Sequence, residues 1–332
     1  MVVGFIGAGS WGTTLAVHLA RLGNEVLLWA HGAEQRRLLR DDRENRLYLP
    51  DTPFPDSITI VDEPAHVAVA PVVVIATPTQ FIRNSMATIP ADALAGVTVV
   101  NISKGIERGS LLLISQLLAE THGIATERFV CLSGPSHAEE VATGIPTLVV
   151  AAGGSLDVAE QVQDLFTSES FRVYKSNDLL GVELGGSLKN VIAVCAGILD
   201  GLNLGDNTKA ALITRGLAEI TRLGAILGAD PQTFSGLSGL GDLVVTCTSR
   251  HSRNRFVGEQ IGRGRKLPEI MAEMNMVAEG VTTTESAFQL AARHGVETPI
   301  INEVYSVLFQ EKDPREATYT LMTRRTKHEI WM

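Results

Sequence analysis

Lys189 and Asn190 lie within Val182 to Cys195, a stretch that beyond Asn190 is apolar on nearly every face, as expected of a buried helix. An ammonium buried there is costly unless it is paired. Burial also disfavours its charged form, which suits a group that gives up and takes back a proton near neutral pH. The plainer alternative is a lysine that snorkels from the helix edge. Gly239 to Arg255 gathers the carboxylate of Asp242, the hydroxyls of Thr246, Thr248, Ser249 and Ser252, and the guanidinium groups of Arg250, Arg253 and Arg255. Guanidinium forks bind phosphate oxygens in pairs, so the segment has the make-up of a phosphate clamp; a solvated basic loop is the alternative. Lys104 follows the run Thr98 to Ile102, and Gly134-Pro135-Ser136 follows Phe129 to Leu132. Both fall on loops beyond strand ends, where open α/β sheets carry ligands. There the backbone N–H groups and Ser136 can hold an anion, unless Ser136 is simply a helix N-cap and Lys104 a surface lysine. Glu279, in the break from Met276 to Val281, can bond a ribose hydroxyl or an amide, though on its own it is unremarkable.

The other chemical signal is Gly7-Ala8-Gly9-Ser10-Trp11-Gly12. Three glycines at this spacing occur in ordinary turns, so context decides. Here they follow the apolar run Val2 to Ile6 and open a helical pattern over Thr13 to Leu22, with Gly23-Asn24 as a stop and a second strand starting at Glu25. That is the opening βαβ unit of a dinucleotide site. Gly7 allows the tight turn, Gly9 lets backbone approach a pyrophosphate, Gly12 lets helix and strand pack closely, and the free N–H groups of the helix start face the anion. A site selective for NAD carries Asp or Glu about 20 residues on. This chain has Ala30-His31 there, so a 2′-phosphate meets no carboxylate, and His31, Arg36 or Arg37 can reach it. NADP is therefore as acceptable as NAD, and His31 is either a phosphate contact or an exposed loop histidine. Ala76-Thr77-Pro78-Thr79 closes another strand near the switch point.

These groups need a scaffold. In the first half, short β-branched runs alternate with longer helical patterns, which predicts βαβ units and a mostly parallel sheet. Strands are expected at Val2 to Ile6, Glu25 to Trp29, Val72 to Ala76, Thr98 to Ile102, Phe129 to Leu132, Thr147 to Ala151 and Phe171 to Tyr174, with a short one at Ser57 to Val61. From about Leu179 helical spacing takes over, at Val182 to Leu199, Thr208 to Leu227, Pro268 to Met274, Thr283 to His294 and Ile300 to Gln310. The fold class expected is α/β, with an N-terminal Rossmann-type domain over residues 1–180 and a C-terminal all-helical, substrate-binding domain over residues 181–332. The charged run Arg40 to Arg46 reads as a solvated face.

Composition narrows the partners. The 332 residues carry a net charge of −9, which argues against an electrostatic grip on nucleic acid or an anionic membrane. Three cysteines, Cys131, Cys195 and Cys247, lie far apart, suggesting neither a disulfide framework nor a zinc site, so no metal is expected and a reducing cytoplasm fits. The apolar start lacks a basic leader and is too short for a signal peptide. The longest apolar stretch, around Val67 to Ala76, contains Pro71 and has half of the roughly 20 residues of a membrane helix, so no span is expected.

Taken together, GAGSWGTTLA, NISKGIE, SGPSHAEEVA, GGSLKNVIA, SGLGDLVVTCTSRHSRNR and VAEGV occur in an order and spacing that resembles the bacterial NAD(P)-dependent glycerol-3-phosphate dehydrogenases over essentially the whole chain. The resemblance implies reversible reduction of dihydroxyacetone phosphate to sn-glycerol 3-phosphate for glycerophospholipid synthesis, with NADH or NADPH as reductant. It implies that Lys189 is the catalytic lysine, that Lys104 polarises the carbonyl oxygen or holds substrate, and that Asp242 orients Lys189. It places Lys104, Gly134, Ser136, Lys189, Asp242, Ser252, Arg253 and Asn254 against the phosphate substrate, with Asn190 and Thr246 as neighbours. Gly7, Gly9, Ser10, Trp11, Gly12, His31, Lys104, Ala138, Arg253, Val277 and Glu279 fall on cofactor positions. A homodimer is the expected assembly. Two rival readings are a β-hydroxyacid dehydrogenase of the 6-phosphogluconate type, whose substrate carries a carboxylate, and a catalytically silent dinucleotide sensor that binds a protein partner.

Overall fold

A computed structural model describes residues 1–274, 276–326 and 328–329. The chain divides into two compact units, Met1–Lys104 with Leu112–Leu179, and Gly105–Leu111 with Leu180–Met332.

The first unit is an α/β sheet. Its strands are β1 (Val2–Ile6), β2 (Glu25–Trp29), β3 (Glu44–Asn45), β4 (Leu49–Pro53), β5 (Ile58–Val61), β6 (Val72–Ile75), β7 (Thr98–Asn101), β8 (Phe129–Ser133), β9 (Thr147–Gly153) and β10 (Phe171–Ser176). Its helices are α1 (Ser10–Arg21), α2 (Ala33–Asp42), α3 (Thr79–Met86), α4 (Ile114–His122), α5 (Ala138–Ala142) and α6 (Leu156–Phe166). Eight strands form one sheet in the order β10-β9-β8-β7-β6-β1-β2-β5, while β3 and β4 make a separate small antiparallel pair. All neighbours in the large sheet run parallel except β8 and β9. The all-apolar, wholly buried β6 is what a central parallel strand covered on both faces requires. The chain steps outward from β1 to β2 and later returns to β1's other side with β6, so the switch point lies between β1 and β6, where such sheets take their ligands.

The second unit is helical: α7 (Leu179–Gly201), α8 (Gly205–Leu227), α9 (Asp242–Thr248), α10 (Arg253–Gly262), α11 (Leu267–Glu273), α12 (Glu279–Arg293), α13 (Pro299–Phe309) and α14 (Pro314–Met322). Gly105–Leu111 belongs to this unit although it follows β7. Ser187 Oγ donates to Gly105 O at 3.1 Å, and Ser286 Oγ to Ile106 O at 3.2 Å. The longest apolar stretch is α7, not Val67 to Ala76. By length and composition α7 could cross a membrane, but its whole apolar window is buried inside the protein, as in a core helix.

Two close contacts set the position of α7. Gly197 and Gly201 face Gly258 and Gly262 of α10, so closely that a Cβ on Gly197 would fall on the carbonyl oxygen of Arg255, and one on Gly258 on that of Val194. Small residues four apart on both helices let the backbones meet in this way. One turn before Lys189, a Cβ on Gly185 would lie 2.7 Å from Ser238 O.

Candidate active site

In the first unit the glycine turn sits at the switch point. Gly7 has a φ of +116°, a conformation that favours glycine. A Cβ there would lie 2.7 Å from Ala76 C, and one on Gly12 would strike Gly7 O. Gly9 is different: a Cβ there would meet no atom within 4 Å. The protein's own packing does not demand glycine at that position, whereas a pyrophosphate approaching the backbone does. The indole Nε1 of Trp11, one residue into α1, is buried without a hydrogen-bond partner among the described residues. Ser10 is buried in the same first turn. These features fit a dinucleotide, whose pyrophosphate the N–H groups of Gly9 and the first turn of α1 would hold.

At the end of β2, His31 is exposed and its ring meets the Trp29 indole edge-on at 5.9 Å. Arg36 Nη1 donates to Ala30 O at 2.7 Å and to His31 O at 2.8 Å, which holds its guanidinium at the strand end. Arg37 is turned along α2 and forks onto Glu34, with Asp41 at 3.1 Å. Of the two arginines expected near a 2′-phosphate, only Arg36 is anchored there. The run Arg40 to Arg46 is not simply a solvated face. Within it Arg43 donates to Ile58 O and Pro55 O, and Asn45 is buried against the glycine turn. The run's alternating charges hid both.

Beyond β7 and β8, Lys104 Nζ donates to Gly134 O at 3.1 Å, and Ser136 Oγ donates to the same oxygen at 2.9 Å. Ser136 is therefore not a helix cap; His137 precedes α5. Gly134 has a φ of +150°, and a Cβ there would lie 2.9 Å from Val149 Cα. Ala138 opens α5 and is tied to α1 by Thr14 Oγ1, 3.3 Å from its carbonyl oxygen.

In the second unit Lys189 Nζ donates to Asp242 Oδ1 and to Thr246 Oγ1, each at 2.6 Å, with the lysine and aspartate side chains 8% and 2% exposed. Lys189 does not snorkel. Asp242 reaches it because the chain makes a π turn before α9, in which Gly241 N donates five residues back to Gly236 O. Thr246 lies one turn further along α9 and also donates to Asp242 O. A carboxylate and a hydroxyl thus fix an ammonium in a low-dielectric setting, an arrangement suited to proton transfer.

The basic cluster is not a loop: α9 and α10 run through it. Nor do its three arginines act together. Arg255 Nε donates to Asp200 Oδ2 at 2.6 Å, and Lys209 also pairs with that carboxylate, so Arg255 braces α10 against α7. Arg253, at the first position of α10, is exposed, and its guanidinium makes no hydrogen bond or ion pair among the described residues. Ser252 Oγ caps α10 by accepting from Arg255 N at 3.2 Å. Asn254 spends its amide on protein. Nδ2 donates to Asn190 Oδ1 and Oδ1 accepts from Gly280 N, both at 2.9 Å. That bridge joins α7, α10 and α12, and holds Lys189, Arg253 and Glu279 in fixed relation. Val277 is half-buried in the irregular segment before α12, and Glu279 is its first residue.

Fold and site define a dinucleotide-binding α/β protein whose second, helical unit carries a buried lysine–carboxylate pair. Family models described as the N-terminus and the C-terminus of NAD-dependent glycerol-3-phosphate dehydrogenase match residues 2–159 and 178–319. The chain is similar to the glycerol-3-phosphate dehydrogenases [NAD(P)+] of Prosthecochloris aestuarii, at 52% identity over 99% of this chain and 100% of that protein, and of Lysinibacillus sphaericus, at 52% over 98% and 97%. Among solved structures it is similar to glycerol-3-phosphate dehydrogenase from Coxiella burnetii, with a TM-score of 0.93, 35% identity, and 97% and 99% of the two chains covered. The chain belongs to the NAD-dependent glycerol-3-phosphate dehydrogenase family.

Proposed function

We propose that residues 1–180 bind the nucleotide and residues 181–332 the phosphate-bearing substrate, and that Lys189 is the proton donor of the reaction. The activity is NAD(P)-dependent reduction of dihydroxyacetone phosphate to glycerol 3-phosphate, and its reverse. Each turnover consumes one NADH or NADPH and one proton and returns the oxidised cofactor. The reduced nicotinamide, when bound, supplies a hydride to the carbonyl carbon. Lys189 gives its proton to the oxygen that becomes the hydroxyl, and takes it back in the oxidative direction. Asp242 and Thr246 hold Nζ in place through that exchange, and Asp242 supports its positive charge. Arg253 binds the phosphate, with the Ser252 hydroxyl beside it. Lys104, Gly134 and Ser136 contact the substrate, and Trp11, His31, Ala138, Val277 and Glu279 the cofactor.

The observation that carries this reading is the buried Lys189–Asp242–Thr246 triad, which a silent sensor has no need to keep. The exposed guanidinium of Arg253 favours a phosphate-bearing substrate. The test follows reduced-nucleotide absorbance with dihydroxyacetone phosphate, with unphosphorylated dihydroxyacetone, and with 2-oxoacids. Turnover confined to the phosphate ester is expected; equal turnover of a 2-oxoacid would favour the hydroxyacid alternative. We also read the protein as a cytoplasmic homodimer. Three free, buried cysteines fit a reducing compartment, and the assembly is tested by the mass of the native protein in solution.

A further inference from the structure

We infer that Asn45 and Gln35 are positioning residues for the cofactor: they hold the carbonyl of Ala8 and thereby aim the N–H of Gly9 at the pyrophosphate. Asn45 is 2% exposed, in β3, outside every motif that marks the nucleotide site. Its Nδ2 donates to Ala8 O at 2.9 Å and to Thr13 Oγ1 at 2.7 Å, and its Oδ1 accepts from Tyr48 N at 3.3 Å. From α2, Gln35 Nε2 donates to the same Ala8 oxygen at 3.0 Å. Two side-chain amides from outside the βαβ unit thus converge on one carbonyl inside the glycine turn.

The consequence follows from peptide geometry. Ala8 C=O and Gly9 N–H belong to one planar unit, and in the trans form they point in opposite directions. No peptide is cis among the described residues. Anchoring the carbonyl on the side of Asn45 and Gln35 therefore turns the Gly9 N–H to the other side, where it donates to no protein acceptor among the described residues. Glycine takes φ of either sign, so the peptide that precedes Gly9 flips more readily than one before another residue, and the turn gains from its being held. The bond to Thr13 ties the same amide to the end of the first turn of α1, and fixes the peptide relative to the helix N–H groups that share the anion. Neither side chain touches the cofactor; each acts through the Ala8–Gly9 peptide.

This inference rests on the glycine turn being the pyrophosphate cradle, so the test separates the two. Binding of ADP-ribose and of adenosine, which lacks the pyrophosphate, is measured by competition with NADH fluorescence on the full chain, for wild type, Asn45→Leu and Gln35→Leu. Each variant is expected to raise the Kd of ADP-ribose about five- to tenfold, the worth of the single hydrogen bond from Gly9 N–H to the pyrophosphate, with the Kd of adenosine unchanged. Wild-type affinity for ADP-ribose in both variants would overturn the inference, as would an equal loss for both ligands. Wild-type protein that binds ADP-ribose no better than adenosine would overturn the cradle itself. Gln35 lies half-buried on α2, so its variant carries the test should Asn45→Leu fail to fold.

Discussion

Two arginines two residues apart show how chemistry is divided at the level of single side chains. Arg255 is spent on Asp200, while Arg253 is exposed with no protein partner among the described residues. Replacing Arg253 by Ala should leave the melting temperature unchanged and raise the KM for the phosphate substrate about ten- to a hundredfold, the range of a charge-assisted hydrogen bond. Arg255→Ala should instead lower the melting temperature, because it leaves the half-buried Asp200 with Lys209 as its remaining partner. Steady-state kinetics and thermal melts on both variants check this; an unchanged KM in Arg253→Ala would reject the phosphate role. The Lys189–Asp242 pair behaves differently again. Both groups are buried, so Asp242→Asn strands the lysine's charge and should cost about 3–5 kcal/mol in urea unfolding. A cost near zero would mean that the pair is solvated.

At the level of elements, function depends on how closely α7 approaches its neighbours. Gly258→Ala would drive a Cβ into Val194 O at the crossing of α7 and α10. It should destabilise the protein by about 1–3 kcal/mol or more and raise the KM for the phosphate substrate, since α10 carries Arg253. Denaturant melts and kinetics on one preparation test both effects, and a stable variant with normal KM would contradict the packing account. The large elements were legible in the sequence because they repeat a period. The β-branched runs became β1, β2 and β5 to β10, and the helical patterns became α1, α7, α8, α11, α12 and α13. Some shorter helices were not: α9 spans only Asp242–Thr248 and α10 opens with the polar Arg253-Asn254-Arg255, so neither carries enough periodic apolar positions to show. Residue types and spacing marked Lys189, Asp242 and the glycine turn. Asn45 stayed hidden in a charged run, because its partner is a backbone carbonyl, and a carbonyl has no identity in a sequence. The distinction between Arg253 and Arg255 was invisible for a similar reason, since Asp200 is distant in the chain.

For the whole molecule, stability is linked to pH through a buried carboxylate of the second unit. Glu219 of α8 is 3% exposed, and its carboxylate accepts from Ile300 N at 2.8 Å and Ile301 N at 3.3 Å, which caps the start of α13. Burial pushes its pKa up to about 7, against the opposing pull of those N–H groups and of Arg222 and Arg324. The folded state therefore holds this proton more tightly than the unfolded chain, whose value is near 4.5. That contribution is full below the unfolded value and is lost as pH rises through about 7. Melting curves from pH 5 to 8 should show wild type losing stability relative to Glu219→Gln as pH rises; parallel curves would contradict this. On the proposed reading both units act in one turnover, the first holding the nucleotide and the second supplying the proton from Lys189. The most direct test is Lys189→Ala, assayed for consumption of NADH and of NADPH with dihydroxyacetone phosphate, beside the Kd of each reduced nucleotide. The account predicts a fall in kcat of about 10²- to 10⁴-fold with nucleotide Kd values close to wild type; wild-type turnover by this variant would contradict it.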